Sequence, residues 1–435
     1  MAERRSEYER LVEPRHPHPN PLPEGEGERG LGLRPIKLLH LADLHLGTET
    51  YGRLDSSTGL STRLADFGRC FDEAVEYALT QNVDLVVFAG DAYRSRDPSP
   101  THQREFAQRI RRLAGAGVAV LLVAGNHDTP AAPGRASSVD IFETLSVPGV
   151  QVARRPGTLV VRTRQGPVQA VALPWPQRSA LLSREEHKNR TVEEINALLV
   201  ERVTQIIAQE AAGLDPALPA ILVAHLSVAG ATLGSEIKFR FGQDFTVPLS
   251  ALANSAFDYV ALGHVHRHQV LHASPPVVYA GSLERVDFGE EREAKGFVVI
   301  ELEKGKTQYQ FVPVGAREFL TIEVRAGEDP TADVLAAAER EQIEGKVVRL
   351  VVRLEPRYET RLNYPEVRRA LRQAAYFAGI VKQVEREARV STPFPHPEEV
   401  SPLEMLEFHL RTREVPAERV GELLEYARKL VGSRE

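Results

Sequence analysis

Histidine and carboxylate stand repeatedly where apolar runs of this chain give out. Asp43-Leu44-His45, Gly90-Asp91, Gly125-Asn126-His127-Asp128, His225 and Gly263-His264-Val265-His266 each follow a stretch rich in Val, Leu, Ile and Ala. A single Asn-His-Asp would read as an ordinary polar turn; its recurrence at one strand end after another argues for a site. In Asp43-x-His45 and His264-x-His266 the donors are two residues apart, so on extended chain both project from one side. Asp43, His45, Asp91, Asn126, His225, His264 and His266 make seven nitrogen or oxygen donors. Seven can complete two octahedral-like sites if one carboxylate bridges, and Asp91, alone at its strand end, is the natural bridge. Two divalent ions would then lie about 3.5–4 Å apart, polarising a phosphoryl group and lowering the pKa of a water. Carboxylate, imidazole and amide ligands together suit Mn²⁺, Fe²⁺ or Zn²⁺, and the share of hard oxygen points to Mn²⁺. A departing alkoxide needs a proton. His127, beside the ligand Asn126 but not needed as a ligand, is the candidate donor, with Asp128 expected to orient its ring or raise its pKa.

The elements that must carry these residues are legible as an alternation. Ile36 to Ala42, Val83 to Ala89 and Val118 to Ala124 read as buried strands, separated by amphipathic helices around 65–80 and from Thr101 to Ala114. Strand, helix, strand, helix, strand, with polar residues at successive strand ends, fits right-handed crossovers and an α/β sheet. Ala220 to Ala224 and Tyr259 to Leu262 repeat the pattern. The short strands Val277 to Ala280, Gly296 to Glu301 and Gln308 to Val314 have hairpin-like spacing, which predicts antiparallel strands in a second sheet. Gly305-Lys306-Thr307 is not a phosphate-binding P-loop, because no glycine stands five positions earlier. From Phe319 a small α+β module is expected: strand, helix from Thr331, strand from Lys346, helix from Tyr364 to Tyr376, strand from Ile380. Ser401-Pro402-Leu403-Glu404 is a capping-box signature, and after Pro416 the residues Val420, Leu423, Leu424, Ala427 and Leu430 fall on one helical stripe. Two such short helices dock on something, whether on the module or on another chain.

At 435 residues the chain has room for two or three domains. Its only cysteine, Cys70, lies in a helical pattern and cannot make an internal disulfide, so metal chemistry falls to nitrogen and oxygen ligands. No apolar stretch is long enough to span a bilayer and the start lacks the layout of a signal peptide, so a cytoplasmic location is expected. The net charge is −6, yet residues 345–390 hold eleven Lys and Arg against five Asp and Glu, which leaves −12 for the rest. A basic module on an acidic body calls for an anionic partner or for a solvated helix face; Arg368, Arg369 and Arg372 fall close together on its second helix. Residues 1–35, rich in Pro, Gly and Glu, read as a disordered tail in which His16 and His18 are preorganised by nothing. His40 is expected in the core or behind a ligand, His268 and His272 on a loop, and Trp175, between two prolines, in a packed turn rather than against a base.

The ordered set Asp-x-His, Gly-Asp, Gly-Asn-His-Asp, His, Gly-His-x-His resembles the calcineurin-like metallophosphoesterases over roughly residues 36–300. Leu39 to Gly47, Gly281-Ser282-Leu283-Glu284-Arg285, the α+β module and the C-terminal helices look like those of the SbcD-type exonuclease subunits of bacterial double-strand-break repair. The resemblance implies a four-layer αββα sandwich. After the disordered tail (1–35) read from composition, it implies a nuclease domain (36–315), a DNA-binding capping domain (316–395) and a helical segment (396–435) that holds an SbcC-type coiled-coil ATPase. It further implies a homodimer and a nuclease, with double-strand 3'-5' exonuclease and single-strand endonuclease activity, acting on DNA ends in repair, recombination and replication. One departure bears on the reaction. Relatives carry His three residues after the bridging Asp, where this chain has Arg94; an Arg can clamp a phosphate bidentately but cannot relay a proton. The same chemistry would also serve a small phosphodiester, a nucleotide or a phosphoprotein, which would need neither the basic module nor exposed helices.

Overall fold

Strands with Val, Ile, Leu and Phe on both faces must be covered on both faces, and the fold meets that demand by stacking two sheets between helices. The computed structural model describes residues 34–130, 135–182, 190–234, 245–385, 400–413 and 415–431. His16, His18 and nearly all of the tail lie outside the described residues, as does the stretch 386–399 across which the last expected domain boundary falls.

The first sheet runs in the order Gln308–Pro313, Gly296–Leu302, Ile36–Leu41, Leu85–Ala89, Ala119–Val123, Val150–Ala153. From Ile36–Leu41 to Val150–Ala153 its neighbours are parallel, so the carboxyl ends of these strands share one rim. The second sheet runs Gln269–Ala273, Pro276–Tyr279, Tyr259–Gly263, Ala220–His225, Gly166–Leu173, Gly157–Thr163, and Ala220–His225 lies parallel to Tyr259–Gly263. This corrects one expectation. Gly296–Leu302 and Gln308–Pro313 belong to the first sheet, where Gly296–Leu302 pairs antiparallel with Ile36–Leu41. The reason is burial on both sides: Phe297 and Val299 face the helices of the first sheet, while Val298 and Ile300 face the second sheet.

Helices Thr62–Thr80 and Pro100–Gly115 close the outer face of the first sheet through Phe67, Phe71, Phe106 and Ile110. The sheets meet through Leu38, Val87, Leu121, Ile221, Val223 and Ala261. Helix Val192–Ala212, started by a Thr191/Glu194 capping box, closes the far face through Leu199, Val203 and Ile207. Each such side chain contributes about 1.5–3 kcal/mol on full burial, and the result is four layers in the order α, β, β, α.

Strands Phe319–Arg325, Val347–Leu354 and Tyr376–Val384 form a separate sheet and are all parallel, joined through helices Pro330–Glu339 and Tyr364–Ala370. The module is therefore wound β-α-β-α-β, in the expected order of elements. Its second helix stops at Ala370, before the expected Tyr376, because Tyr376 is already paired with Val347 in the sheet. The last described elements are the helices Pro402–Thr412, with the anticipated Ser401/Glu404 capping box, and Ala417–Val431.

Candidate metal centre

The strand ends are held in unusual backbone. Among the described residues, the non-glycine positions at positive φ include Asp43 (52°), His45 (48°), Asp91 (58°) and His264 (98°). Left-handed backbone costs a non-glycine residue on the order of 1–3 kcal/mol and persists where the surroundings over-determine it. Here they do: the amides of Asp43 and His45 donate to the carbonyls of Gly90 and Asp91, both at 3.0 Å. The amide of His264 donates to both carboxylate oxygens of Asp43, at 2.9 and 3.0 Å, and that of His127 to Asp91 Oδ1 at 2.8 Å. Two glycines permit the close approach. A Cβ on Gly125 would stand 2.1 Å from Asp91 Oδ1, and one on Gly263 would stand 2.0 Å from the Ala89 carbonyl.

The rim brings the seven donors together. Ligand atoms of Asp43, His45 and His266 lie within 4.8 Å of one another, as do those of Asp91, His225 and His264. Asp91 Oδ2 stands between the two groups, 3.6 Å from His45 Nε2 and 3.3 Å from His225 Nε2. Asn126 Oδ1 is 3.0 Å from both His225 Nε2 and His264 Nδ1. His127 also comes within 4.8 Å of His45 and Asp91.

The donor chemistry calls for positive charge. His225 Nδ1 donates to the Ala89 carbonyl at 2.8 Å and His266 Nδ1 to Glu290 Oε1 at 2.6 Å, so in the neutral rings each Nε2 offers a lone pair. Those lone pairs face Asp91 Oδ2, Asn126 Oδ1 and, at 2.9 Å, the Nε2 of His45. Acceptors aimed at acceptors repel unless a cation or a proton lies among them. In the protein alone a proton takes that part: burial lowers the His225 pKa, but Asp91 more than reverses this and brings it to about 9. Burial likewise pushes Asp91 up, and His225 outweighs it and holds the carboxyl well below its usual range. Burial carries Asp43 up to about 6 and His45 well down. Buried carboxylates and imidazoles clustered in this way fit divalent metal ions.

Asp128 does not do what was expected of it. Its fully buried carboxylate accepts from the amides of Gly125 (3.0 Å), Ala92 (3.1 Å) and Tyr93 (3.2 Å) and from Ser138 Oγ (3.3 Å); the His127 ring finds its partner elsewhere, donating from Nδ1 to the Arg94 carbonyl at 2.9 Å. Nor is the His127 pKa raised. Burial lowers it, and neither Asp91 nor the Arg94 carbonyl offsets the loss. Arg94 itself flanks the rim, where its charge bears on His45 and His127.

Two neighbours, Glu290 and Arg96, went unnoticed in the sequence. Glu290, with no exposed surface, takes His266 on one oxygen and Lys295 Nζ on the other, at 2.8 Å; it sits 24 residues from His266 and nothing in Gly289-Glu290-Glu291 distinguishes it from a solvated turn. Arg96, exposed, donates to the Asn126 carbonyl. Trp175 lies in irregular chain rather than the anticipated turn, with its amide on the Ala124 carbonyl, and its ring packs 5.0 Å from that of His264 as part of the wall. His40 is fully buried against Tyr259. His272 sits in a strand rather than a loop, while His268 stacks on Phe311.

The calcineurin-like phosphoesterase family model matches residues 36–268. The chain is similar to the SbcD component of the SbcCD nuclease of Rhodobacter capsulatus, 29% identical over 322 residues that cover 70% of this chain and 76% of that protein. It is similar to the SbcD component of the SbcCD nuclease of Escherichia coli K12, 28% identical and covering 63% of this chain and 66% of that one. With the DNA double-strand break repair protein Mre11 of Aeropyrum pernix it shares 28% identity, covering 67% of this chain and 64% of its relative. With more than half of its length matched and the donor constellation in place on the rim, this protein belongs to the calcineurin-like phosphoesterases, metal-dependent hydrolases of phosphoester bonds.

Proposed function

We propose that this protein is a Mn²⁺-dependent DNA nuclease, an SbcD-like subunit that hydrolyses phosphodiester bonds at DNA ends as a double-strand 3'-5' exonuclease and single-strand endonuclease. The observation that carries the chemistry is the Asp91 carboxylate set between His45 and His225, with the other donors clustered in two groups on either side. The reading of the substrate is supported by the nuclease relatives, whose similarity spans more chain than the family match, and by the basic module attached beside the rim.

In this reading Asp43, His45, Asp91 and His266 hold one ion and Asp91, Asn126, His225 and His264 the second. Bound there, divalent ions would supply Lewis acidity towards the scissile phosphate and a water. The remaining work falls to side chains. Arg94 clamps the phosphate, and His127, its Nδ1–H tethered to the Arg94 carbonyl, acts in its imidazolium form, giving the Nε2 proton to the leaving oxygen and returning to the neutral ring. Asp128 holds the loop that carries both Asn126 and His127. The C-terminal helices would hold an SbcC-type coiled-coil ATPase, and two copies would form a homodimer in the cytoplasm; among the described residues no helix is long and apolar enough to cross a membrane.

Cleavage of duplex ends, with Mn²⁺ and the ATPase present, should be compared with hydrolysis of bis-p-nitrophenyl phosphate. Both are expected. Turnover of the small ester with none of DNA would overturn the nuclease reading and leave a phosphoesterase of small substrates.

A further inference from the structure

The short turn Phe288–Glu290 faces two ways. On one side Glu290 meets His266, and the same carboxylate is fixed by Lys295 Nζ at 2.8 Å and by the Val286 amide at 3.0 Å. Lys295 also donates to the His266 carbonyl at 3.1 Å, so ring and backbone of that residue are gripped from one buried point. On the other side Phe288 is the seat of the three-stranded module. Its ring lies 4.9 Å from Phe319 and 5.2 Å from Tyr51, and the Arg349 guanidinium stands 4.2 Å above it. The next residue after the turn, Glu291, accepts from the Thr321 amide at 2.8 Å and from its hydroxyl at 2.5 Å. Only Gly289 thus separates the module contact Phe288 from Glu290, the partner of a metal-site imidazole, and the second contact, Glu291, adjoins it directly.

We infer that this turn is a positioning element that ties the seat of the module to the ion site built from Asp43, His45 and His266. The inference rests on the metal-centre reading above. A carboxylate on the far nitrogen of a ligating imidazole fixes its tautomer and its aim, and removing such a partner weakens metal binding about 10–100-fold. Phe288 extends that control outward. A module that shifts on its seat moves Phe288, and with it the backbone that carries Glu290, whereas His225 in the other site takes its Nδ1 partner from the Ala89 carbonyl and not from the turn. The two ions should therefore respond unequally to one disturbance.

The test is titration of the full-length protein with Mn²⁺ alone, followed by calorimetry and by electron paramagnetic resonance, with thermal melting as a control. Wild type is expected to bind two ions. Glu290→Ala should bind one with unchanged affinity and the other about 10–100-fold more weakly, with Glu290→Gln, which keeps an acceptor oxygen, falling in between. Phe288→Leu, which keeps an apolar side chain at the junction, should weaken the same ion at least several-fold although Phe288 touches no donor. Wild-type affinity for both ions in Phe288→Leu overturns the link to the module, and it does so even if Glu290→Ala fails to fold. Two unaltered ions in Glu290→Ala overturn the positioning role. A wild type that takes up no Mn²⁺ overturns the metal-centre reading and this inference with it.

Discussion

His127 and Asp128 are adjacent and do unlike things. The backbone amide of His127, not its ring, holds Asp91 Oδ1, so a substitution that keeps the amide should keep the donors in place. His127→Ala is expected to lower phosphodiester cleavage about 10²–10⁴-fold, the usual worth of a general acid, while two Mn²⁺ remain bound per chain. Loss of metal along with activity would refute the role. His40 allows a test of stability. Burial lowers its pKa from 6.5 to about 3, so the folded protein keeps it neutral where an unfolded chain would protonate it. The sign follows: stability is intact above pH 6.5 and drains away as the pH falls towards 3, at up to about 1.4 kcal/mol per unit. His40→Leu should show a shallower loss of urea midpoint between pH 6.5 and 4 than wild type, and an identical slope would discount the effect. At this scale the convergence of the seven donor side chains could be read in advance because strand ends are a local signal, although the pairs spaced by two meet through left-handed backbone and not extended chain. The partner of His127 could not, since Arg94 offers a backbone carbonyl and any residue there would offer the same.

The strands around the rim were legible for a similar reason, because long aliphatic runs ending in Gly-Asp or Gly-Asn leave little choice. What escaped was sheet membership. Gly296–Leu302 has the sequence of a strand but nothing in it says that Ile36–Leu41 is its partner; that is decided by which core has room for Val298 and Ile300. The hairpin Gly157–Thr163/Gly166–Leu173 and the helix Val192–Ala212 were likewise unread, although Thr191 and Glu194 spell a capping box. The C-terminal helices are the element whose purpose is most open to test. Their apolar stripes are only half covered: in Pro402–Thr412 no residue is buried, and in the second helix Val420 is buried while Leu423, Leu424 and Ala427 are half-buried. Helices of this length are marginal alone. Removing residues 401–435 should abolish association with the coiled-coil ATPase in a pull-down and leave Mn²⁺-dependent hydrolysis of bis-p-nitrophenyl phosphate within about twofold, since no metal donor lies beyond His266. Undiminished association would return the helices to a purely structural role.

For the molecule as a whole, the question is how an acidic chain would hold an acidic polymer. The surplus of positive charge in residues 345–390 is not evenly available. Lys346, Arg353, Arg357, Arg361 and Lys382 already face carboxylates of Glu318, Glu323, Glu355, Glu328 and Glu359. Arg368, Arg369 and Arg372, at the end of the module's second helix and in the turn after it, are exposed and make no ion pair among the described residues. A phosphate therefore gains more from these three than from cations that must first give up a carboxylate. Each phosphate neutralised on a duplex adds about 0.9 to the slope of log affinity against log salt. Replacing all three by Ala should weaken duplex binding regardless of sequence and lower that slope by up to about 2.7, whereas Arg353→Ala should change it little. Turnover of bis-p-nitrophenyl phosphate should be untouched by either, because the rim lies in the other domain's sheets. A salt slope that survives the triple substitution would place the nucleic acid on another face of the molecule, with the open side of the module's sheet around Arg325 the next surface to change.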